Sequence, residues 1–212
     1  MVQKISLISE KEDKKLVVFG TLFRSKMGAI KDILVLLGKE KEVKEIDAEY
    51  EKRKLLGPWG LKELAKLYFG FSENELKKIS FEYCQRNLLA GIRELAIELK
   101  KKGFLIGVLN SNPKFILDCL KWIFPLDFAF GTQLEFKKGI ATGEIKEEFT
   151  RYKKVEVLKR IIKEYRLKRE NVIFVEKSTI TQLPMAREAG VVIGFDPEKE
   201  SFEDVARIIL TK

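Results

Sequence analysis

Four short apolar runs constrain the fold most: 15–19 (KLVVF), 104–109 (FLIGVL), 172–175 (VIFV) and 191–195 (VVIGF). Each is shorter than an ordinary helix and is not interrupted by charge, the pattern of strands buried on both faces. Helix-patterned segments at 114–123, 151–165 and 182–189 separate the last three runs. Strand–helix alternation of this kind predicts an α/β fold, a parallel sheet with helices on both faces. At 212 residues the chain exceeds one domain of roughly 150. The excess lies between the first two strands, where 24–87 reads as helices without a convincing strand. The expected division is an α/β core of 1–23 and 88–212 with an inserted all-helical cap of 24–87.

Local signals fill in the rest. Gly20-Thr21-Leu22 turns the chain out of the first strand, and a helical stretch starts near Lys26, runs through 39–56, breaks at Gly57-Pro58-Trp59-Gly60 and resumes over 61–69. Ser72 followed by Glu75 forms a capping box, and Gly103 is placed to end a helix over 90–102. Asn110-Ser111-Asn112-Pro113 reads as a loop. Short strands are expected at 127–130, 132–136 and 140–145, the last two joined by Lys137-Lys138-Gly139, and a final helix over 201–210. Trp59 and the Phe-rich cap face suit a core between cap and sheet.

The residue inventory excludes whole classes of chemistry. With no histidine, Ser-His-Asp and Cys-His catalysis and His-ligated zinc are unavailable. Cys84 and Cys119 are too few and too far apart for a metal cluster and read as reduced, buried side chains. Net charge is +9, yet the 31 Lys and 25 Glu intermingle along helix faces, which describes a solvated surface better than a nucleic-acid groove. Such Lys and Glu enrichment, with only five Asn and four Gln, resembles proteins of hot habitats. No apolar run approaches the roughly 20 residues of a membrane span, and the first 15 residues lack a signal peptide's apolar stretch. A cytoplasmic chain without membrane contact is the expectation.

In parallel α/β sheets ligands bind beyond the carboxyl ends of the strands. Those ends are Gly20-Thr21, Asn110-Ser111-Asn112, the stretch leading to Lys154, and Glu176-Lys177-Ser178. In order, LVVFGTLFR, LKKKGFLIGVLNSNPKF, FKKGIATGEI with YKKVEVLKRI, and ENVIFVEKSTITQLPMAREAGVVIGF resemble the haloacid dehalogenase superfamily, in its phosphoserine phosphatase branch. The resemblance covers about 15–196. It implies an Asp at the end of the first strand that attacks phosphorus, a second Asp two residues on as acid and base, and a Ser or Thr and a Lys that hold phosphoryl oxygens. It also implies Mg²⁺ held by these carboxylates and an acidic fourth motif. A phosphate dianion repels a carboxylate nucleophile unless cations neutralise it.

The chain departs from that pattern where the chemistry lies. Phe19 runs directly into Gly20-Thr21-Leu22, so either three residues are missing or Val17 and Phe19 occupy the two Asp positions. In the fourth motif Lys177 falls at the metal-binding Asp and Gln182 at the second Asp; a gap shifted by one places Glu176 there instead. Of seven Asp, only Asp196 follows a strand at the carboxyl edge. No catalytic residue and no metal ligand is therefore assigned, although the family implies Mg²⁺. The resemblance implies that the phosphate-holding half persists in Lys154 (with Lys153 the near alternative), in Asn110 with Ser111 beside it, and in Gly20 and Thr21, whose backbone N–H groups would face an anion. Lys154 also reads as an ordinary surface lysine at a helix start, and Lys177 as the partner of a neighbouring carboxylate. The family Arg that grips the serine carboxylate falls near Leu64. The expected function is a phosphatase-like protein that has lost activity and keeps a cleft for an anion or small phosphorylated ligand. Alternatives are a relocated Mg²⁺-dependent phosphomonoester hydrolase using Glu176 and Asp196, and a non-catalytic regulatory or interaction module.

Overall fold

The computed structural model describes residues 14–25, 27–53, 60–176, 183–195 and 208–210. β1 (Leu16–Phe19) is followed by α1 (Ala29–Leu36), α2 (Glu40–Arg53), α3 (Leu61–Lys66), α4 (Glu73–Asn87) and α5 (Ile92–Lys101). Then come β2 (Leu105–Pro113), α6 (Lys114–Leu120), β3 (Phe128–Lys137), β4 (Ile140–Glu147) and α7 (Arg151–Glu164). β5 (Val172–Glu176), α8 (Leu183–Ala186), β6 (Val191–Phe195) and β7 (Ile208–Leu210) complete the described chain. The seven-stranded sheet has the order β4-β3-β2-β1-β5-β6-β7. Every neighbouring pair is parallel except the β3–β4 hairpin, so the predicted parallel α/β sheet gains one antiparallel edge. The chain leaves β1 to build β2 on one side and returns to build β5 on the other. This reversal opens a crevice at the carboxyl end of β1.

Side-chain alternation decides which layer each strand residue joins. Val17 and Phe19 enter the core shared with α1–α4 and α6, while Leu16 and Val18 enter the core beneath α7 and α8. Phe19 meets Phe124 edge-on at 5.6 Å between ring centroids. Both possible stand-ins for the missing aspartates are thus core residues at the middle and end of a buried strand. Helices α1–α4 share that core with the sheet and are tied by polar bonds. Tyr68 donates to the Ile30 carbonyl at 2.6 Å, and the Ile30 N–H donates to Asn112 Oδ1 at 3.2 Å. Ser72 caps α4 as its sequence predicts, accepting from the Glu75 N–H at 3.2 Å. Both cysteines are buried free thiols, and burial pushes Cys84 up to about 12.

Four expectations change. Residues 110–113 are not a loop: β2 continues to Pro113, which pairs with Thr132 across a bulge that follows Leu109. The strands expected at 127–130 and 132–136 are one strand, β3, because Gly131 interrupts the apolar pattern without interrupting the backbone. A Cβ at Gly131 would lie 2.3 Å from the Asn112 carbonyl oxygen, so the bulge requires glycine opposite it. The helix expected to begin near Lys26 begins at Ala29. The last helix, expected over 201–210, is contradicted at its end: Ile208–Leu210 is a strand parallel to β6, where β-branched residues extend the sheet. Residues 201–207 lie outside the described residues, as do Trp59 and Asp196. Among the described residues no helix is long and apolar enough to cross a membrane.

Candidate functional site

The crevice at the end of β1 is closed by a compact charged arrangement. The Gly20 N–H donates to the Val175 carbonyl at 2.8 Å, so sheet pairing continues one residue beyond Phe19. Glu176, the last residue of β5, is 6% exposed, and a Cβ on Gly20 would lie 1.9 Å from its Oε2. The carboxylate therefore rests against the bare Cα of Gly20. Lys154, in the first turn of α7, is 2% exposed. Burial pushes its ammonium down to about 8, and the negative charge of Glu176 opposes that fall. Lys154 is delivered there by the start of α7. Phe149 is buried and donates its N–H to Thr132 Oγ1 at 3.2 Å, and Thr150 caps the helix by accepting from the Lys153 N–H at 3.2 Å.

Beside this arrangement a cavity of about 340 Å³ separates the helical block from the sheet. Its sheet side carries Asn110, Ser111, Asn112, Glu148, Arg151 and Lys154, and its helical side includes Lys31, Ile30 and Leu64. Arg151 and Lys154 are three apart on one helix face, which brings both to the cavity. The Asn110 side chain accepts the Asn112 N–H at 3.0 Å, and Ser111 Oγ donates to the Phe149 carbonyl at 3.2 Å. A second, larger groove between α4, α6 and the hairpin mixes Lys77, Lys114 and Lys146 with Glu73, Asp118 and Glu135 and contains none of the predicted site residues.

The structure brings together Lys154, Asn110 and Ser111 on one cavity wall, with Glu176 behind Lys154. The surface-lysine reading of Lys154 fails, because the side chain is buried. Gly20 and Thr21 do not line the cavity, and the Gly20 N–H is consumed by Val175 rather than presented to an anion. Ser111 likewise commits its hydroxyl proton to Phe149. Lys177 and Gln182 lie outside the described residues. Sequence reading missed Arg151, whose only signal is its spacing from Lys154, and Lys31, which looks like one more cap lysine.

Mg²⁺ requires several oxygen ligands from carboxylates and water. The described aspartates are engaged elsewhere: Asp32 accepts from Tyr83, Asp47 pairs with Lys31, Asp118 with Lys114 and Lys121, and Asp127 with Lys100 and the Ile106 N–H. Residues 177–182 (KSTITQ) carry no carboxylate, and no group of three metal-ligating side chains occurs among the described residues. Among the described residues, one carboxylate beside a buried ammonium does not fit the family's metal.

No family model matches the chain. A phosphoserine phosphatase of Archaeoglobus fulgidus is 30% identical over 202 residues, 92% of this chain and 56% of that relative. The chain thus spans little more than half the length of that relative. A phosphoserine phosphatase of Methanocaldococcus jannaschii is 27% identical over 186 residues, 86% of this chain and 85% of the relative. A substrate-bound phosphoserine phosphatase complex superposes with a TM-score of 0.78 at 26% identity, covering 95% of both chains. The α/β fold of this chain thus matches that of a phosphoserine phosphatase structure. Similarity in sequence and in fold to phosphoserine phosphatases supports assigning the chain to the phosphoserine phosphatase-like branch of the haloacid dehalogenase superfamily.

Proposed function

We propose that this chain binds a phosphorylated ligand or related anion in the cavity without hydrolysing it, the family's carboxylate–Mg²⁺ chemistry having been lost. The observation that carries the reading is the Glu176 carboxylate seated against Gly20 with Lys154 buried beside it. A covalent route needs a carboxylate within reach of phosphorus, a cation to offset its charge, and a second group to move the proton. Glu176 is one group, enclosed at the end of β5, and cannot fill the roles of nucleophile and proton donor together. Arg151 and Lys154 still supply the positive charge that an oxyanion needs. Residues of α1, α2 and α3 line the opposite wall, and the helical block 24–87 is read as the cap. The two buried free thiols support a reducing, cytoplasmic setting.

The test is hydrolysis of phosphoserine and of a generic aryl phosphate with excess Mg²⁺ at elevated temperature, with Glu176→Ala and Lys154→Ala run alongside. The expected result is no release of phosphate above buffer by any of the three proteins. Turnover by the wild type that disappears in both variants would show a rebuilt catalytic site and overturn the proposal.

A further inference from the structure

The two walls of the cavity differ in chemistry, and that difference selects among anions. The sheet wall presents Arg151, Lys154 and Asn110, whereas the facing wall is built from Ile30, Ile46, Leu61 and Leu64 of α1, α2 and α3. Leu64 is 4% exposed and lines the cavity, so an apolar side chain and not a cation stands at this point of the wall. Lys31 is the cation on the helical side, but it is committed to Asp47 and lies 5.4 Å from the centroid of the Tyr50 ring. Among the lining residues the one carboxylate is Glu148, which would repel a second carboxylate on a ligand.

We infer that the cavity takes a phosphomonoester or phosphonate carried on an apolar or aromatic body, and discriminates against phosphoserine; this rests on the anion-binding reading above. The oxyanion lies against Arg151 and Lys154, and the body lies against Leu61, Leu64 and Ile46. The α-carboxylate of phosphoserine would give up water for an apolar wall without gaining a cation, a loss that hydrophobic burial does not repay. An apolar body gives up nothing on the same wall. A cavity of about 340 Å³ is at the small end of ligand pockets and accommodates a single ring with its phosphoryl group.

Titration calorimetry of the full chain without metal, at neutral pH, uses three probes: phenylphosphonate, inorganic phosphate and phosphoserine. Phenylphosphonate is expected to bind at least about tenfold more tightly than either of the others, with a more negative heat-capacity change. Half-buried Leu61 tolerates a polar replacement better than Leu64. Leu61→Gln is therefore expected to weaken phenylphosphonate about tenfold while leaving inorganic phosphate unchanged. Equal affinity for all three probes would overturn the inference and leave the anion cleft standing. An unaltered phenylphosphonate affinity in Leu61→Gln would overturn it by placing the ring elsewhere. Binding of none of the three would remove the anion-binding reading itself, and the inference with it.

Discussion

The buried Lys154–Glu176 arrangement should lower stability near neutral pH, by an amount that fades as Lys154 titrates. Burial brings Lys154 from its ordinary 10.5 down to about 8. At about 1.4 kcal/mol per pH unit, that gap amounts to about 3 kcal/mol. The unfolded chain keeps this proton up to its ordinary value, whereas the folded chain releases it near 8. Between these values the unfolded state binds more protons, so this lysine makes stability rise with pH. Below about 8 the whole penalty is present, and above 10.5 it is gone. The perturbation is the double variant Lys154→Met/Glu176→Gln, which removes the charge without stranding a carboxylate. It should be more stable than wild type at pH 7 by about 3 kcal/mol, inside the range known for replaced buried ion pairs. Lys154→Met alone strands Glu176 and should lose about 3–5 kcal/mol. Urea unfolding followed by circular dichroism at a series of pH values between 7 and 10.5 measures both differences. A double variant less stable than wild type at pH 7, or an advantage that does not shrink as pH rises, would refute a destabilising buried ammonium at Lys154.

Two glycine substitutions test the packing around the site. Gly20→Ala would place a methyl 1.9 Å from Glu176 Oε2 and 3.2 Å from Phe174 Cε2, and should lower stability by about 1–3 kcal/mol. In a Glu176→Ala background the same change should cost markedly less, and a double-mutant cycle by thermal unfolding measures that coupling. Gly131→Ala meets backbone, the Asn112 carbonyl at 2.3 Å, so it should cost about 2 kcal/mol or more. Because that carbonyl belongs to the bulge carrying Asn110 and Ser111, Gly131→Ala should also weaken phosphate binding by calorimetry.

The apolar strands were legible because burial on both faces leaves an unbroken hydrophobic run, and β1, β2, β5 and β6 all lie where such runs occur. The polar end of β2 was not legible. Asn110-Ser111-Asn112 is extended because it pairs towards β3 and tethers Ile30, which are tertiary causes without a local pattern. For the same reason Gly131 read as a break. At the site, Lys154 was found through motif order, but its burial was not, since a lysine at a helix start looks the same whether it points to water or into a crevice. The involvement of the Gly20 N–H with Val175 is likewise a property of sheet register.

Gly20 at the end of β1, Glu176 at the end of β5 and Lys154 at the start of α7 form one physical unit rather than three independent features. No carboxylate stands at the end of β1, where Phe19 is followed by Gly20, Thr21 and Leu22, so no negative charge there holds a cation. A buried ammonium can then occupy the region, but only with a carboxylate near enough to offset its desolvation. Glu176 meets that need, and its side chain fits because the residue opposite it is glycine. Gly20, Glu176 and Lys154 therefore constrain one another: a side chain at 20 displaces the carboxylate, and a displaced carboxylate leaves the ammonium uncompensated. In the proposed function, the positive charge kept in this way beside the cavity attracts the oxyanion.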